Sequence, residues 1–364
     1  MSDFVTDLRA DLVDAAARRQ RDSRLARATR PLHPRAWRPA ALLGAAPVAI
    51  GVAAAVAAAL ALSTPAQHPG RPHVVAEVRL GGQPQDAVLS GGSLWVADYG
   101  GDVVRVDPIR HRVAGRITVG GNAVSLAAGA AGVWVMSTDI VNGADRSHLS
   151  HIDPRTGRRV DRVPVLGVGG AVAQSAGGVW LFPDTHRGGL ERIDPTGAAV
   201  TARPPFGQGA ALAVRGDTLW ALGTDGTVMA VDDGSGRVVY RLARVARTLP
   251  DAFPIAQNAL VADATGAWAL GSGAKTLVHI VDGRIVQRIA VPTALGPLAL
   301  ARDACWVATR DSAHFRYGLS RIDPDTGKTT ATLDLGPRQP EALVPSPDGL
   351  WVITGDGSAL LVRY

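Results

Sequence analysis

Histidine is the residue type in this chain best suited to chemistry, because it can act as a general acid or base and can bind metals. Histidine-based metal sites on a helix need H-x-x-x-H or H-E-x-x-H spacing, and the sequence contains neither. His148 and His151 have an odd spacing, which places them on opposite faces of a strand. We retain one candidate pair of metal ligands, His186 and His314. The nine histidines are His33, His68, His73, His111, His148, His151, His186, His279 and His314.

Serine and aspartate offer no clearer catalytic arrangement. The G-x-S-x-G turn of a serine nucleophile is absent from the sequence. Repeated Asp-Pro turns lack the dense D-x-D-x-D spacing of calcium loops. We therefore expect no cofactor, and we expect a binding protein rather than an enzyme.

Tryptophan provides the strongest pattern in the chain. Seven tryptophans recur at intervals of 39, 46, 40, 48, 38 and 45 residues. A period of about 40–45 residues is typical of four-stranded propeller blades. Because every repeat has one, we interpret them as packing residues between blades rather than ligand platforms. They are Trp95, Trp134, Trp180, Trp220, Trp268, Trp306 and Trp351.

Each repeat is predicted to form four short strands. The tryptophan lies in a short apolar run bounded by Gly and Asp, as in GGSLWVAD (91–98). The next strand ends in a turn such as HIDPRTGRRV (151–160), where Asp can cap the turn and Gly can adopt a positive φ. One more strand follows, and a small-residue strand precedes the next tryptophan. We count this small-residue strand as the first of each blade and the tryptophan strand as the second. The pattern predicts an all-β fold, a seven-bladed propeller of four-stranded blades over residues 74–364.

The two ends of this region are fragments of one blade. The last repeat ends after its third strand, and the first is preceded by an isolated strand, VVAEVRL (74–80). We expect strand 74–80 to pair with the C-terminal blade and close the propeller.

Loops between blades line one mouth of the central channel in such a fold, and they carry the candidate ligand-binding residues. Polar groups that converge over a concave surface form the default binding-site hypothesis, with simple solvation as the alternative. From the loops before each first strand the candidates are Gln85, Asp86, Asn122, Gln208, Asn258 and Glu341. From the loops after each tryptophan strand they are Tyr99, His186, His314 and Tyr317.

An apolar segment precedes the propeller. Residues 40–62 carry no charge, and at about 1.5 Å per residue they could cross a hydrocarbon layer of about 30 Å. Residues 1–39 contain nine Arg, whereas residues 63–73, which we interpret as a linker, contain one. This asymmetry predicts a single-pass protein of the cell membrane with a cytoplasmic N-terminus and an extracytoplasmic propeller. A cleaved signal peptide is the alternative.

The basic tail is predicted to be helical, because residues 2–29 lack Pro and Gly and place acids early and Arg late. It could lie on anionic lipid or dock a cytoplasmic partner. Residues 1–39 contribute +4 of the formal charge of +6, so the propeller is nearly neutral and we expect no nucleic-acid binding. Cys305 is the only cysteine and is predicted to be a buried core residue.

The repeats resemble a known group of propellers. LWVAD (94–98), HIDPRTGRRV (151–160) and SRIDPDTGKTT (320–330) are similar to YVTN-type repeats, and so to streptogramin-lyase-like and quinoprotein-like propellers. In the lyases, a Glu and His cluster supports a divalent metal at the centre of the propeller. Here the tripeptides that follow the seven tryptophans contain no Glu, which argues against lyase activity. The layout of tail, single helix and outer domain also resembles membrane-anchored sensors of the anti-sigma type.

Two functions from different classes follow. The first is a ligand- or protein-binding module, acting as a sensor or scaffold for an extracytoplasmic protein or small molecule. The alternative is a metal-dependent lyase or hydrolase with its site at the mouth of the central channel.

Overall fold

The computed structural model describes residues 70–129, 132–141, 144–183, 188–194, 199–246, 259–271 and 275–364. These residues form seven four-stranded antiparallel sheets. The fold is therefore the predicted seven-bladed propeller. The predicted tail and the apolar segment 40–62 lie outside the described residues. In the part of the chain that the structure describes, no helix has the length and hydropathy of a membrane span.

The first four blades follow one another along the chain. Blade 1 contains β2 (Pro84–Ser90), β3 (Ser93–Asp98), β4 (Asp102–Asp107) and β5 (Arg112–Thr118). Blade 2 contains β6 (Asn122–Gly129), β7 (Gly132–Val141), β8 (Ala144–Asp153) and β9 (Arg158–Leu166). Blade 3 contains β10 (Val172–Gln174), β11 (Val179–Leu181), β12 (Glu191–Ile193) and β13 (Val200–Ala202). Blade 4 contains β14 (Gly209–Arg215), β15 (Thr218–Gly223), β16 (Val228–Asp232) and β17 (Val238–Leu242).

The remaining blades complete the propeller. Blade 5 contains β18 (Leu260–Ala262), β19 (Gly266–Gly271), β20 (Thr276–Val281) and β21 (Arg284–Ala290). Blade 6 contains β22 (Ala294–Ala301), β23 (Ala304–Asp311), β24 (Arg316–Ile322) and β25 (Thr329–Gly336). Blade 7 contains β26 (Pro340–Ser346), β27 (Gly349–Thr354), β28 (Ser358–Arg363) and, from the other end of the region, β1 (His73–Arg79).

Strand β1 closes the propeller by pairing with β28, from His73 opposite Arg363 to Arg79 opposite Ser358. Val78 is 4% exposed and belongs to a core cluster that spans blades 7 and 1. Arg338 adds an ion pair, with its Nη1 3.0 Å from Glu77 Oε2. Backbone pairing, apolar burial and charge thus join the two ends of the chain within one sheet.

Burial decreases from the inner strands to the outer strands. The second strands β3, β19 and β27 are buried at every position, which explains their nearly continuous apolar sequences. The fourth strands β5 and β21 are mostly exposed, with three less exposed residues in β21 and two in β5. Because the first strands of neighbouring blades contact one another, as β2 contacts β6 and β26, they form the inner wall of a central channel.

The repeat tryptophans lie between blades, as predicted. All seven are between 0 and 4% exposed. Four of them pack against an arginine or histidine side chain from the third strand of the same blade. Trp134 stacks on His151 with ring centroids 4.5 Å apart, and Trp268 stacks on His279 at 4.1 Å. Arg105 lies 5.3 Å from the ring centre of Trp95, and Arg192 lies 5.5 Å from that of Trp180.

The turns between third and fourth strands have the geometry that the Asp-Pro motif predicts. The Asp153 carboxylate accepts a hydrogen bond from Arg155 N at 2.8 Å and another from Thr156 Oγ1 at 2.9 Å. Gly157 has φ 68°, a conformation that favours glycine, and its N–H donates to the Asp153 carbonyl. The turn at Asp153 therefore pairs the Arg155 and Gly157 amides and the Thr156 hydroxyl within the turn itself.

Candidate functional site

Antiparallel topology divides the connections between two ends of the propeller. We use "channel mouth" for the end that carries the loops before each first strand and the loops between second and third strands. Eight predicted site residues lie at this end, in these loops or in the adjoining strands. They are Gln85, Asp86, Tyr99, Asn122, Gln208, His314, Tyr317 and Glu341. His186 and Asn258 lie outside the described residues.

Local backbone irregularities position two of these side chains. The β26–β27 register shifts between Pro340 and Ala342, so Glu341 is the extra residue of a β-bulge. The β2–β3 register shifts in the same way between Pro84 and Asp86, around Gln85. A bulge re-aims the side chain of the extra residue. Glu341 and Gln85 therefore occupy equivalent positions in neighbouring blades.

A chain of hydrogen bonds joins blade 6 to blade 7 at the mouth. The Tyr317 hydroxyl donates to Gln339 Oε1 at 2.9 Å. Gln339 in turn forms a side-chain hydrogen bond with Glu341. The sequence predicted that Tyr317 and Glu341 lie on the same rim. In the structure both side chains form a hydrogen bond with Gln339.

The Glu341 carboxyl is unusual because it is largely buried. Burial raises its pKa from 4.5 to about 7, and the hydrogen bond with Gln339 opposes this effect. A Cβ atom added at Gly355 would lie 2.9 Å from Glu341 Oε1, so the carboxyl rests against backbone that has no side chain. This group can change its charge near neutral pH, which is a property of many functional carboxyls.

Arg310 and Phe315 extend this cluster. The Arg310 guanidinium lies 5.8 Å from the centre of the Tyr317 ring and 5.9 Å from that of Phe315. Arg310 Nε is buried and has no hydrogen-bond partner within the described part of the protein. Phe315 is 69% exposed and has φ 51°. An exposed aromatic residue held at positive φ is uncommon and favours a functional interpretation.

We call these five residues, Arg310, Phe315, Tyr317, Gln339 and Glu341, the mouth cluster. It combines an exposed apolar ring, a cation, a hydroxyl, an amide and a titratable carboxyl. Such a set can bind a partner through one apolar anchor and several oriented hydrogen bonds.

Asp86 is buried in the inner wall of the channel mouth. It is 5% exposed, and its Oδ2 accepts hydrogen bonds from Leu126 N at 2.8 Å and Ser125 Oγ at 3.3 Å. Ser125 Oγ also accepts a bond from Val172 N at 3.3 Å. The Asp86 carboxylate therefore joins the first strands of blades 1 and 2, and Ser125 extends the link to blade 3. Its buried position indicates that it stabilises the inner wall.

The other predicted residues at this end differ in their exposure. Tyr99 is 43% exposed, Gln208 is exposed and Asn122 is partly buried. His314 is exposed, and its Nδ1 lies 2.7 Å from Asp311 Oδ2 in its own loop. Among the residues that the structure describes, no group of three or more His, Cys, Asp or Glu side chains could hold a metal ion.

Arg310 and Phe315 were not predicted as site residues. The signal available in the sequence was the aromatic pair in DSAHFRYG (311–318), where Phe315 interrupts a polar loop. Arg310 gave no such signal, because it ends an ordinary apolar strand, and its contacts with both rings depend on the conformation of the loop.

Comparison with known proteins adds a likeness of fold. No family model matches the chain, and no curated protein matches it. Among solved structures, it is similar to Kuenenia stuttgartiensis hydrazine synthase, with a TM-score of 0.58. The sequence identity is 15%, and the alignment covers 78% of this chain and 96% of that one. At this identity the likeness shows the propeller fold alone.

Proposed function

We propose that this protein is a binding module that recognises an extracytoplasmic protein or small molecule at its channel mouth. The mouth cluster is the observation that carries the proposal. Its Tyr317–Gln339 contact fixes the orientation of polar groups from two blades, and Phe315 offers an exposed apolar anchor beside them. Recognition surfaces commonly combine such an aromatic anchor with pre-oriented polar groups.

The repeat motifs support the same proposal. Their resemblance to YVTN-type propellers agrees with the observed fold, and propellers present binding surfaces at the ends of a rigid channel. The proposed placement on a membrane anchor rests on the uncharged segment 40–62 and on the nine Arg before it. Within this proposal, residues 1–30 contact anionic lipid or a cytoplasmic partner.

Photo-crosslinking from the mouth would test the proposal in its native setting. A photoreactive phenylalanine analogue at position 315 of the full-length chain should crosslink one reproducible partner in intact cells. The matched control is the same analogue at Ile109, which is 79% exposed in a turn at the opposite end of the propeller. Both probes sit on exposed loops, so only a specific surface distinguishes them.

Substitutions then test whether the crosslink reports recognition. With the analogue at position 315, Glu341→Gln and Arg310→Ala should reduce the crosslinked product several-fold at unchanged protein levels. Equal crosslinking from positions 315 and 109 would contradict a mouth-specific interaction. Metal-dependent turnover by the purified protein would instead support the lyase or hydrolase alternative.

A further inference from the structure

A cavity lies at the end of the propeller opposite the channel mouth, where the turns between first and second strands and between third and fourth strands meet. Its volume is about 640 Å³, within the range of small-molecule sites. It opens between blades 5 and 6, and we call it the side groove. Its walls are Trp268 and His279 of blade 5 and Leu300, Arg302, Pro324 and Asp325 of blade 6.

The corresponding region between blades 3 and 4 explains why this groove is open. There, Asp233 from blade 4 reaches blade 3, and its Oδ1 accepts a hydrogen bond from Trp180 Nε1 at 2.7 Å. Arg192 covers the same tryptophan and is only 8% exposed. The cavity of about 320 Å³ beside Arg192 is lined by residues of blade 3 alone.

Two sequence differences change this arrangement in blades 5 and 6. In the aligned turns VDDGSG (231–236) and IDPDTG (322–327), Pro324 occupies the position of Asp233. In the cross-strand pairs with tryptophan, His279 replaces Arg192. Trp268 Nε1 bonds instead to Asp263 Oδ2 of its own blade at 2.9 Å. The space that Asp233 and Arg192 occupy between blades 3 and 4 therefore stays open between blades 5 and 6.

The charge of the side groove favours a cation. Asp303 is paired with Arg321 at 3.0 Å, so the two charges cancel. The other Asp and Arg residues of the lining are Asp263, Asp325 and Arg302, which leaves an excess of one negative charge. The Arg302 guanidinium lies 5.3 Å from the centre of the Tyr364 ring. Burial raises the pKa of Asp263, but hydrogen bonds from Thr265, Gly266 and Trp268 outweigh it, and the pKa lies below its usual value.

His279 lies beside Asp263, with its Nε2 3.5 Å from Asp263 Oδ2. Burial lowers its pKa, and the nearby Asp263 only partly opposes this effect. Its ring lies parallel to Trp268, with an interplanar angle of 5°, and both residues line the groove. Because His279 covers Trp268, which is 2% exposed, the ring nearest a ligand here is the imidazole, and Coulomb attraction to the carboxylates favours a cationic group.

We propose that the side groove binds a small organic cation, with an ammonium group near Asp263 and Asp325 and an apolar body against Leu300 and Pro324. This site is distinct from the channel mouth and goes beyond the function proposed above. The contrast between the two blade pairs provides an internal reference, because Arg192 supplies from the chain itself the cation beside a tryptophan that the side groove would obtain from a ligand.

Calorimetric titration of the full-length chain tests the chemical class. The probes are phenethylammonium, 2-phenylethanol and phenylacetate, which share one aromatic body and differ in charge. We expect saturable binding of phenethylammonium with a dissociation constant at least about tenfold lower than that of either other probe, a difference that corresponds to about 1.4 kcal/mol. Equal affinities for all three probes, or no saturable binding of phenethylammonium, would overturn the proposal.

Charge reversal tests the location. Asp325→Lys changes an exposed turn residue on the groove wall and should weaken phenethylammonium binding at least about fivefold. Asp348→Lys makes the same change on an exposed turn of blade 7 at the same end, and it should change affinity less than twofold. Equal loss in the two variants would show a general surface effect and refute the site.

A third variant separates this inference from the proposed function. Phe315→Ala, at the channel mouth, should leave phenethylammonium binding unchanged. Phe315 belongs to the mouth cluster and does not line the side groove, so either proposal can fail without the other. Loss of phenethylammonium binding in Phe315→Ala would place the ammonium site at the mouth and overturn the assignment to the side groove.

Discussion

Trp180 of blade 3 donates its indole N–H to the Asp233 carboxylate of blade 4 across 2.7 Å, although 53 residues separate them in the chain. The second oxygen of Asp233 accepts a bond from Gly177 N at 2.8 Å. Asp233 is 2% exposed. One side chain therefore satisfies two donors of the neighbouring blade and holds the two blades together.

Loss of this carboxylate should weaken the whole propeller. Asp233→Ala leaves the Trp180 indole and the Gly177 amide without their acceptor, and we expect a loss of about 3 kcal/mol in the free energy of unfolding. Asp348→Ala, at an exposed turn, is the control and should change stability by less than about 0.5 kcal/mol. Denaturant unfolding measures both, and similar values for the two variants would contradict the inter-blade role.

Closure by β1 gives a second prediction about stability. Leu80 follows β1 and is 1% exposed in the cluster between blades 7 and 1, so Leu80→Ala should cost about 2–5 kcal/mol. Val74→Ala, within β1 but 42% exposed, should cost far less. Because closure joins the two ends of one sheet, we expect a single cooperative transition at a lower temperature. A separate early transition of one blade would contradict this.

The Glu341 carboxyl predicts a pH dependence of stability. Its pKa is raised from 4.5 to about 7, so ionisation is more costly in the folded state than in the unfolded chain. Below pH 4.5 both states are protonated and the cost is absent; it grows between pH 4.5 and 7 and is complete above pH 7. Glu341→Gln should therefore stabilise the protein by up to about 3 kcal/mol at pH 8 and have little effect at pH 4.

Thermal unfolding of both proteins across this pH range is the measurement. Glu191→Gln removes the same charge from a surface pair with Arg203 and serves as the control. A Glu341→Gln variant whose difference from the wild type is constant with pH would contradict the buried-carboxyl interpretation.

The turn aspartates predict the opposite dependence at low pH. The side-chain hydrogen bond from Arg110 lowers the pKa of Asp107 to about 2, and backbone hydrogen bonds lower those of Asp153 and Asp323. Each contributes stability that is present above the usual value of 3.8 and is lost as the pH falls through the folded-state pKa. Asp323→Asn should reduce the loss of melting temperature between pH 4 and pH 2. Unchanged acid sensitivity in that variant would contradict a role for this turn.

Membrane topology is the remaining prediction, and it concerns residues outside the described part of the chain. Nine Arg precede the segment 40–62 and one follows it before residue 74, so a reporter active only outside the cytoplasm should function when fused after Tyr364. Residues 1–39 should resist protease in intact cells. An inactive fusion at normal abundance would reverse the proposed orientation.

The sequence alone determined the fold because the information for a blade is local and repeated. Tryptophan spacing, short apolar runs and Asp-Pro turns each depend on neighbours within a few residues, and seven copies reinforce one interpretation. The burial of Trp95 and of Cys305 and the turn at Asp153 follow from the same local rules. The rim that carries Tyr317 and Glu341 could also be predicted, because antiparallel strands place alternate loops at the same end.

The tertiary structure decided which of these residues meet. A bulge at Glu341 shifts the face of its strand by one residue, and a period of two cannot show where such a shift occurs. Asp86 turns into the inner wall because Leu126 of the next blade offers an N–H there. Asp233 reaches Trp180, whereas Pro324 at the aligned position leaves a cavity. These outcomes depend on contacts between blades some 40 residues or more apart in the chain, so they appear only once the blades are packed.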